Sequence, residues 1–175
     1  MSSQFAARSV RLGQLFADPL QIEAPPYQRS YAWTSTEAGR LLDDITTAME
    51  AEGEGADTAD YFLGTMLFID GDRAALLRDG WPLTGTARTF EVVDGLQRLT
   101  TLTILFCVLR DLDASDRAAS HAGLATAIHA GRGDAAKSRL THRGTDEKFF
   151  QAYVRGAGDS RSSSGMVRQA PAPRT

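Results

Sequence analysis

Apolar residues recur at helical intervals from Thr34 onward. Ala38, Leu41, Leu42, Ile45 and Met49 are spaced by three and four with polar residues between them, which predicts an amphipathic helix over about 35–50. Thr34 and Glu37 have the spacing of a capping box at its start. The run YFLGTMLFI at 61–69 is dense in aromatic and aliphatic residues, as a buried strand is, and Asp70-Gly71 marks a turn after it. Thr89 to Val93 reads as the next strand, with 72–88, containing Gly80, Pro82 and Gly85, as a long hairpin connection. The period then changes. LQRLTTLTILFCVLRDL places Leu99, Leu102, Phe106 and Leu109 on one stripe, and Ile104, Leu105 and Val108 widen it, so this helix is mostly buried. A weaker helix is expected over Arg117 to His129, and a short last one over Thr145 to Arg155 with Phe149, Phe150 and Tyr153. Near the start, Val10 to Phe16 forms a helix stopped at Pro19, followed by a strand at about 20–24. The order α, β, α, β, β, α, α, α is an α+β fold with a small mixed sheet and flanking helices.

Composition adds boundaries. A chain of 175 residues with 42% hydrophobic residues supports one compact core, read here as 1–155. Residues 156–175, GAGDSRSSSGMVRQAPAPRT, hold too few large apolar side chains to offset the entropy of ordering them and are expected to be a disordered tail. The break after Arg155 fits a truncated or frame-shifted gene product, and equally a stand-alone small member with a flexible tail. The acidic, Gly-interrupted stretch 51–60 reads as a solvated loop. With 19 Lys+Arg against 22 Asp+Glu the chain has no polybasic bulk, so any nucleic-acid contact must come from a local patch. The single cysteine, Cys107, lies inside an apolar run, which removes a disulfide framework and a Cys-based zinc site and predicts a reducing, cytoplasmic setting. No run has the length of a membrane span.

The chemically richest stretch is FEVVDGLQRLTTL. A strand ends at Asp94, Gly95 permits a sharp turn, and a buried helix begins with Gln97 and Arg98 in its first turn. A helix start exposes unpaired N–H groups and the positive end of the macrodipole, and a guanidinium beside it adds two parallel donors, the geometry of a phosphate site. The competing reading makes Asp94 the N-cap, Gln97 the partner that closes a capping box, and Arg98 a member of an internal ion pair. A second stretch, APPYQRSYAW, is expected to be extended, with Tyr27, Arg29, Tyr31 and Trp33 on one face and Gln28, Ser30 and Ala32 on the other. Aromatics interleaved with an Arg can stack bases, or can complete a core with the Arg lying over a ring.

Pro25 to Trp33, then Phe62-Leu63-Gly64, then Val93 to Leu102 stand in the order and spacing of P-x-Y-Q-R-x-Y-x-W, F-L-G and V-D-G-Q-Q-R-L-T-T-L. In this the chain resembles the GmrSD-type restriction endonuclease N-terminal domain family over about residues 10–155, with Arg139-Leu140 and Asp146–Phe150 matching a short basic strand and an Asp-headed helix. The resemblance implies a ParB/sulfiredoxin-like core whose D-G-Q-Q-R turn binds and hydrolyses an NTP with Mg²⁺, in a protein that recognises modified DNA and is completed by an HNH-type nuclease domain or subunit. Carried over, Asp94, Gln97 and Arg98 are the catalytic candidates. Gly95, Gln97, Arg98, Tyr27, Gln28 and Arg29 are the nucleotide-binding ones, with Arg98 holding phosphate, Gln97 orienting phosphate or water, and Asp94 capping the helix or holding Mg²⁺ through water. Leu96 replaces the first Gln of the motif, which weakens hydrolysis before binding.

The remaining inventory offers little chemistry. His121, His129 and His142 have no carboxylate cluster at ligand spacing and are expected on the surface, so no metal site of protein ligands is predicted. Cys107 is expected to be a small core residue. The Arg excess over Lys is spread along the whole chain. The leading expectation is an NTP-binding and NTP-hydrolysing sensor domain of a modification-dependent restriction system, with no nuclease activity of its own. The alternative is a non-catalytic nucleic-acid-binding or interaction module.

Overall fold

A computed structural model describes residues 7–17, 20–53, 61–70, 88–112, 118–130 and 136–155. The elements are α1 (Leu12–Leu15), β1 (Leu20–Glu23), α2 (Ser35–Gly53), β2 (Leu67–Asp70) and β3 (Arg88–Asp94), then α3 (Leu96–Leu112), α4 (Ala118–Ile128), β4 (His129–Ala130), β5 (Lys137–Ser138), β6 (Leu140–Thr141) and α5 (Gly144–Tyr153). A four-stranded sheet has the order β2-β3-β1-β6, and β4 and β5 form a separate antiparallel pair. The fold is α+β, as the periodicity predicts. The expected 72–88 connection, apart from Arg88, which already belongs to β3, the 51–60 loop beyond Gly53 and the 156–175 tail lie outside the described residues.

The core follows from alternation in two strands and the stripe of one helix. Leu20 and Ile22 of β1 and Phe90 and Val92 of β3 point the same way, with Ile22 opposite Phe90 on one side and Leu140 on the other, in parallel pairs. Leu99 and Leu102 of α3 close over them and are as fully buried. Each such leucine contributes about 1.5–3 kcal/mol of burial. Phe106 meets Phe16 edge-on at 4.9 Å between centroids, which ties α1 to α3. A second cluster gathers Cys107, Ile128, Phe150 and Val154. Burial pushes the Cys107 thiol up to about 11, so it is a core residue with little thiolate character, as expected.

The α2 start is also as predicted. The Thr34 hydroxyl donates to the Glu37 carboxylate at 2.5 Å and the Thr34 amide at 2.7 Å, which hold the Glu37 carboxyl below its ordinary range, and the Thr36 amide donates to the Thr34 hydroxyl at 3.2 Å.

Four expectations need correction. The strand placed at 61–69 begins only at Leu67, because Gly64 sits at φ +100° and breaks the pleat; β2 still pairs antiparallel with β3, as a hairpin requires. The first helix is reduced to four residues. The helix read to His129 ends at Ile128, since His129–Ala130 pair with Lys137–Ser138. Residues 25–33 are not one extended face. The chain turns at Pro26–Gln28, where the Gln28 amide bonds the Pro25 carbonyl at 3.0 Å, so Tyr27 and Arg29 face solvent while Tyr31 and Trp33 are half-buried.

Candidate functional site

The candidate site is built where β3 becomes α3. Gly95 stands at φ +99°, and a Cβ there would lie 2.9 Å from the Met66 Cγ, so both conformation and space call for glycine. The Leu99 amide makes a helical bond to the Gly95 carbonyl at 3.0 Å. Gly95 is therefore the N-cap, and the amides of Leu96, Gln97 and Arg98 have no partner within the helix. The capping box imagined for Asp94 and Gln97 does not form, because the helix begins one residue later and Gln97 is its second residue.

Gln97 reaches sideways instead. Its Oε1 accepts the amides of Ala32 at 2.7 Å and Trp33 at 3.3 Å, and its Nε2 donates to the Ser30 carbonyl at 3.2 Å. Arg98 Nη1 donates to the Thr65 carbonyl at 3.2 Å, and the guanidinium lies over Gly64, where a Cβ would come within 3.1 Å of it. The positive φ of Gly64 thus serves the arginine as well as the turn. Among the described residues no carboxylate pairs with Arg98, which sets aside the ion-pair alternative there. Asp94 is exposed, and its carboxylate takes no hydrogen bond from the described residues.

Opposite the turn runs the segment from Pro25 to Thr34. Gln28 Nε2 donates to the Val93 carbonyl at 2.5 Å and to that of Val92 at 3.2 Å, which pins the segment to the end of β3. The Tyr31 hydroxyl meets the Thr101 Oγ1 at 3.0 Å. A cleft of about 210 Å³ opens between Gln28, Arg29 and Trp33 on one side and Asp94–Arg98 on the other. Six of the seven sequence-predicted residues, Gln28, Arg29, Asp94, Gly95, Gln97 and Arg98, line it together; Tyr27, 65% exposed, stands outside. Leu96 is buried in the core and forms part of the floor.

A second cleft of about 200 Å³ shares Gln28, Arg29 and Leu96 with the first and runs on to His142–Asp146 at the start of α5. Periodicity carried no sign of this neighbour, nor of Thr65 and Gly64 as the seat of Arg98. Only the Asp-headed helix pointed toward it.

Behind α5 the structure corrects the surface placement of histidine. His142 is 4% exposed, stacks on Phe150 at 4.1 Å between centroids, and bonds Thr100 Oγ1 of α3 through Nε2 at 2.9 Å. Its Nδ1 faces the Arg155 Nη2 at 3.3 Å. A guanidinium can only donate, so Nδ1 is the acceptor and Nε2 carries the proton. Arg155 also donates to both Glu147 oxygens, at 2.6 and 3.0 Å, and to the Leu140 carbonyl at 2.6 Å. Burial, and then the Arg155 charge, push His142 down to about 4. Burial raises the Glu147 carboxyl, but the bonds from Arg155 and from the His142 amide outweigh it and leave it below its ordinary range. His129 is half-buried and lowered by burial, and the His121 side chain lies outside the described residues.

Among the described residues no group of three His, Cys, Asp or Glu could hold a metal ion, and no helix is long and apolar enough to cross a membrane. Compared with models of known protein families, residues 12–168 match the one described as GmrSD restriction endonuclease, N-terminal domain. No curated protein matches the chain.

Proposed function

The chain belongs to the GmrSD restriction endonuclease N-terminal domain family, and from that premise we propose that it binds and hydrolyses a nucleoside triphosphate as the sensor domain of a modification-dependent restriction system. Membership itself makes it a component of a restriction, phage-defence system. The nucleotide chemistry, with the ParB/sulfiredoxin-like core that accompanies it, is the finer reading.

One observation carries that reading. The first-turn amides of α3, which have no partner within the helix, and the Arg98 guanidinium, with no carboxylate partner among the described residues, belong to residues that line one cleft with Arg29 and Asp94. Helix amides and a planar guanidinium suit phosphate oxygens, and Gly95 lets the backbone come close to them. The donor set also fits Mg²⁺, which is usually held by one or two carboxylates together with phosphates and water, and Asp94 is a carboxylate with its oxygens uncommitted among the described residues. Bound there, Mg²⁺ would neutralise charge on the phosphate oxygens. Arg98 grips phosphate and Arg29 adds a second cation from the opposite wall, while Gln28 ties that wall to the end of β3. Gln97 shapes the site by holding 30–33 in place. Tyr27, exposed beside the cleft, offers a ring on which a base can stack, including one of modified DNA. Cutting belongs to a nuclease domain or subunit.

A second reading, a binding module without turnover, is favoured by one specific arrangement. Leu96 puts an apolar side chain where the motif has a Gln, and the Gln97 amide is spent on Ser30, Ala32 and Trp33, so little is left to orient water. Phosphate release from each of the four NTPs with Mg²⁺, with and without modified DNA, separates the two. Release that Arg98→Ala abolishes supports the NTPase; nucleotide or DNA binding with no release under any condition supports the module.

A further inference from the structure

The segment from Pro25 to Thr34 crosses the first turns of two helices, and a side chain from each turn grips its backbone. Gln97 of α3 holds residues 30, 32 and 33, as described above. From the other side Asp146, in the first turn of α5, accepts the Tyr31 amide through Oδ2 at 2.8 Å. Arg29 is two residues from that latch, and two residues of chain span at most about 7 Å. The Arg29 side chain is exposed and has no hydrogen-bond or ion-pair partner among the described residues, so only the backbone beside it fixes where its charge stands. It stands in the wall common to both clefts, and Asp146 lines the second.

We propose that Asp146 is a positioning residue of the nucleotide site: by holding the Tyr31 amide it keeps Arg29 over the phosphate cleft and so makes α5 part of nucleotide binding. This rests on the nucleotide reading above. A carboxylate at this place is a poor phosphate ligand, because like charges repel, and its Oδ2 already serves the Tyr31 amide. Its effect on the ligand therefore passes through the backbone to Arg29. What matters is an acceptor oxygen at the end of a side chain of this length, not the negative charge.

A double-mutant cycle on NTP affinity tests this, measured by calorimetry with Mg²⁺ and whichever of the four NTPs binds tightest. Asp146→Ala is expected to weaken binding about tenfold, and Arg29→Ala by about tenfold or more, the scale of one lost charge-assisted contact. With Arg29 gone there is nothing left to position, so the double variant should bind within about twofold of Arg29→Ala. Asp146→Asn keeps an acceptor for the Tyr31 amide and should bind within about twofold of the wild type, although it lacks the charge. Additive losses, or an Asn variant as weak as the Ala variant, would overturn the proposal while leaving nucleotide binding standing. A wild-type chain that binds none of the four NTPs would overturn both. Should Asp146→Ala not fold, Asp146→Thr, which withdraws the acceptor by one bond, takes its place in the same cycle. Trypsin gives a second readout, since loss of the latch should speed cleavage after Arg29 in Asp146→Ala and not in Asp146→Asn. Equal cleavage rates in the two variants would count against the latch.

Discussion

Two places in this domain share one design and put it to opposite use. In each a strand leads through a positive-φ glycine, Gly95 at +99° and Gly144 at +56°, into a helix whose first turns carry charged or amide side chains. At α3 the charges are left open: Asp94 is exposed, and Arg98 gives one described bond to a carbonyl and meets no carboxylate among the described residues. At α5 the groups satisfy one another, with Arg155 spread over Glu147, His142 and Leu140. The difference is water. Behind α5 the side chains are buried, and a buried charge without a partner costs several kcal/mol, so packing there is stable only when the network is complete. Beside α3 a cleft keeps solvent at the charges, so open valences cost little and can await an anion. Residue type does not separate a structural arginine from a ligand-binding one; the partners that burial demands do.

The largest effect should come from breaking the closed network. Arg155→Ala leaves the buried His142 Nδ1 without its donor and strips the partly buried Glu147 of the guanidinium, leaving it only the His142 amide and Gln151, and should lower unfolding free energy by about 3 kcal/mol in urea melts. A loss of less than 1 kcal/mol, on the order of a surface pair, would make the two places alike after all.

The same network gives acid sensitivity with a definite sign. Unfolded, His142 titrates near its ordinary 6.5, and folded it is pushed down to about 4. Between those values the unfolded chain binds the proton and the folded one does not. Stability is therefore complete above about 6.5 and falls as the pH drops toward 4, by up to about 3 kcal/mol. The Glu147 carboxyl, lowered on folding, contributes stability above its ordinary 4.5 that is also lost as the pH falls, so the two act in the same direction. Thermal melts of the wild type and of His142→Gln across that range should converge at acid pH.

At the open site the expected change moves from stability to binding. Arg98→Ala should weaken NTP binding by about 1.5–3 kcal/mol, tenfold or more, while the melting temperature stays nearly unchanged. A large fall in melting temperature with intact affinity would return Arg98 to the structural class. The smallest effect joins the two measurements. Gly64→Ala forces a side chain into left-handed backbone at about 1–2 kcal/mol and crowds the Arg98 guanidinium, so a modest loss of stability should come with a loss of nucleotide affinity.

Much of this was legible in the chain. The α2 start at Thr34, the β3 strand and the buried α3 helix emerge from spacing and capping chemistry, which are local and survive any packing. The D-G-L-Q-R turn and the Y-Q-R segment were recognisable as a pair, and the fold brings them to one cleft. The strands β4 and β5 were not legible, because two residues carry no period and a ladder that short exists only where packing supplies the partner; β6 was foreshadowed only by the resemblance, at Arg139-Leu140. Nor was the buried state of His142, which depends on Phe150, Arg155 and Thr100 arriving from three other elements.

The sequence by itself determined the order of the helices and of the first three strands, the glycine-permitted turn from β3 into α3, and the presence of an arginine at that helix start, since each follows from neighbours a few residues apart. Only the tertiary structure decided what the polar groups do: that Gln97 holds 30–33 rather than capping its own helix, that Asp146 takes the Tyr31 amide, and that Arg98 stays open while Arg155 is enclosed. A hydrogen bond is settled within about 3 Å, and over that distance the partner is chosen by how distant segments pack, to which local spacing is blind.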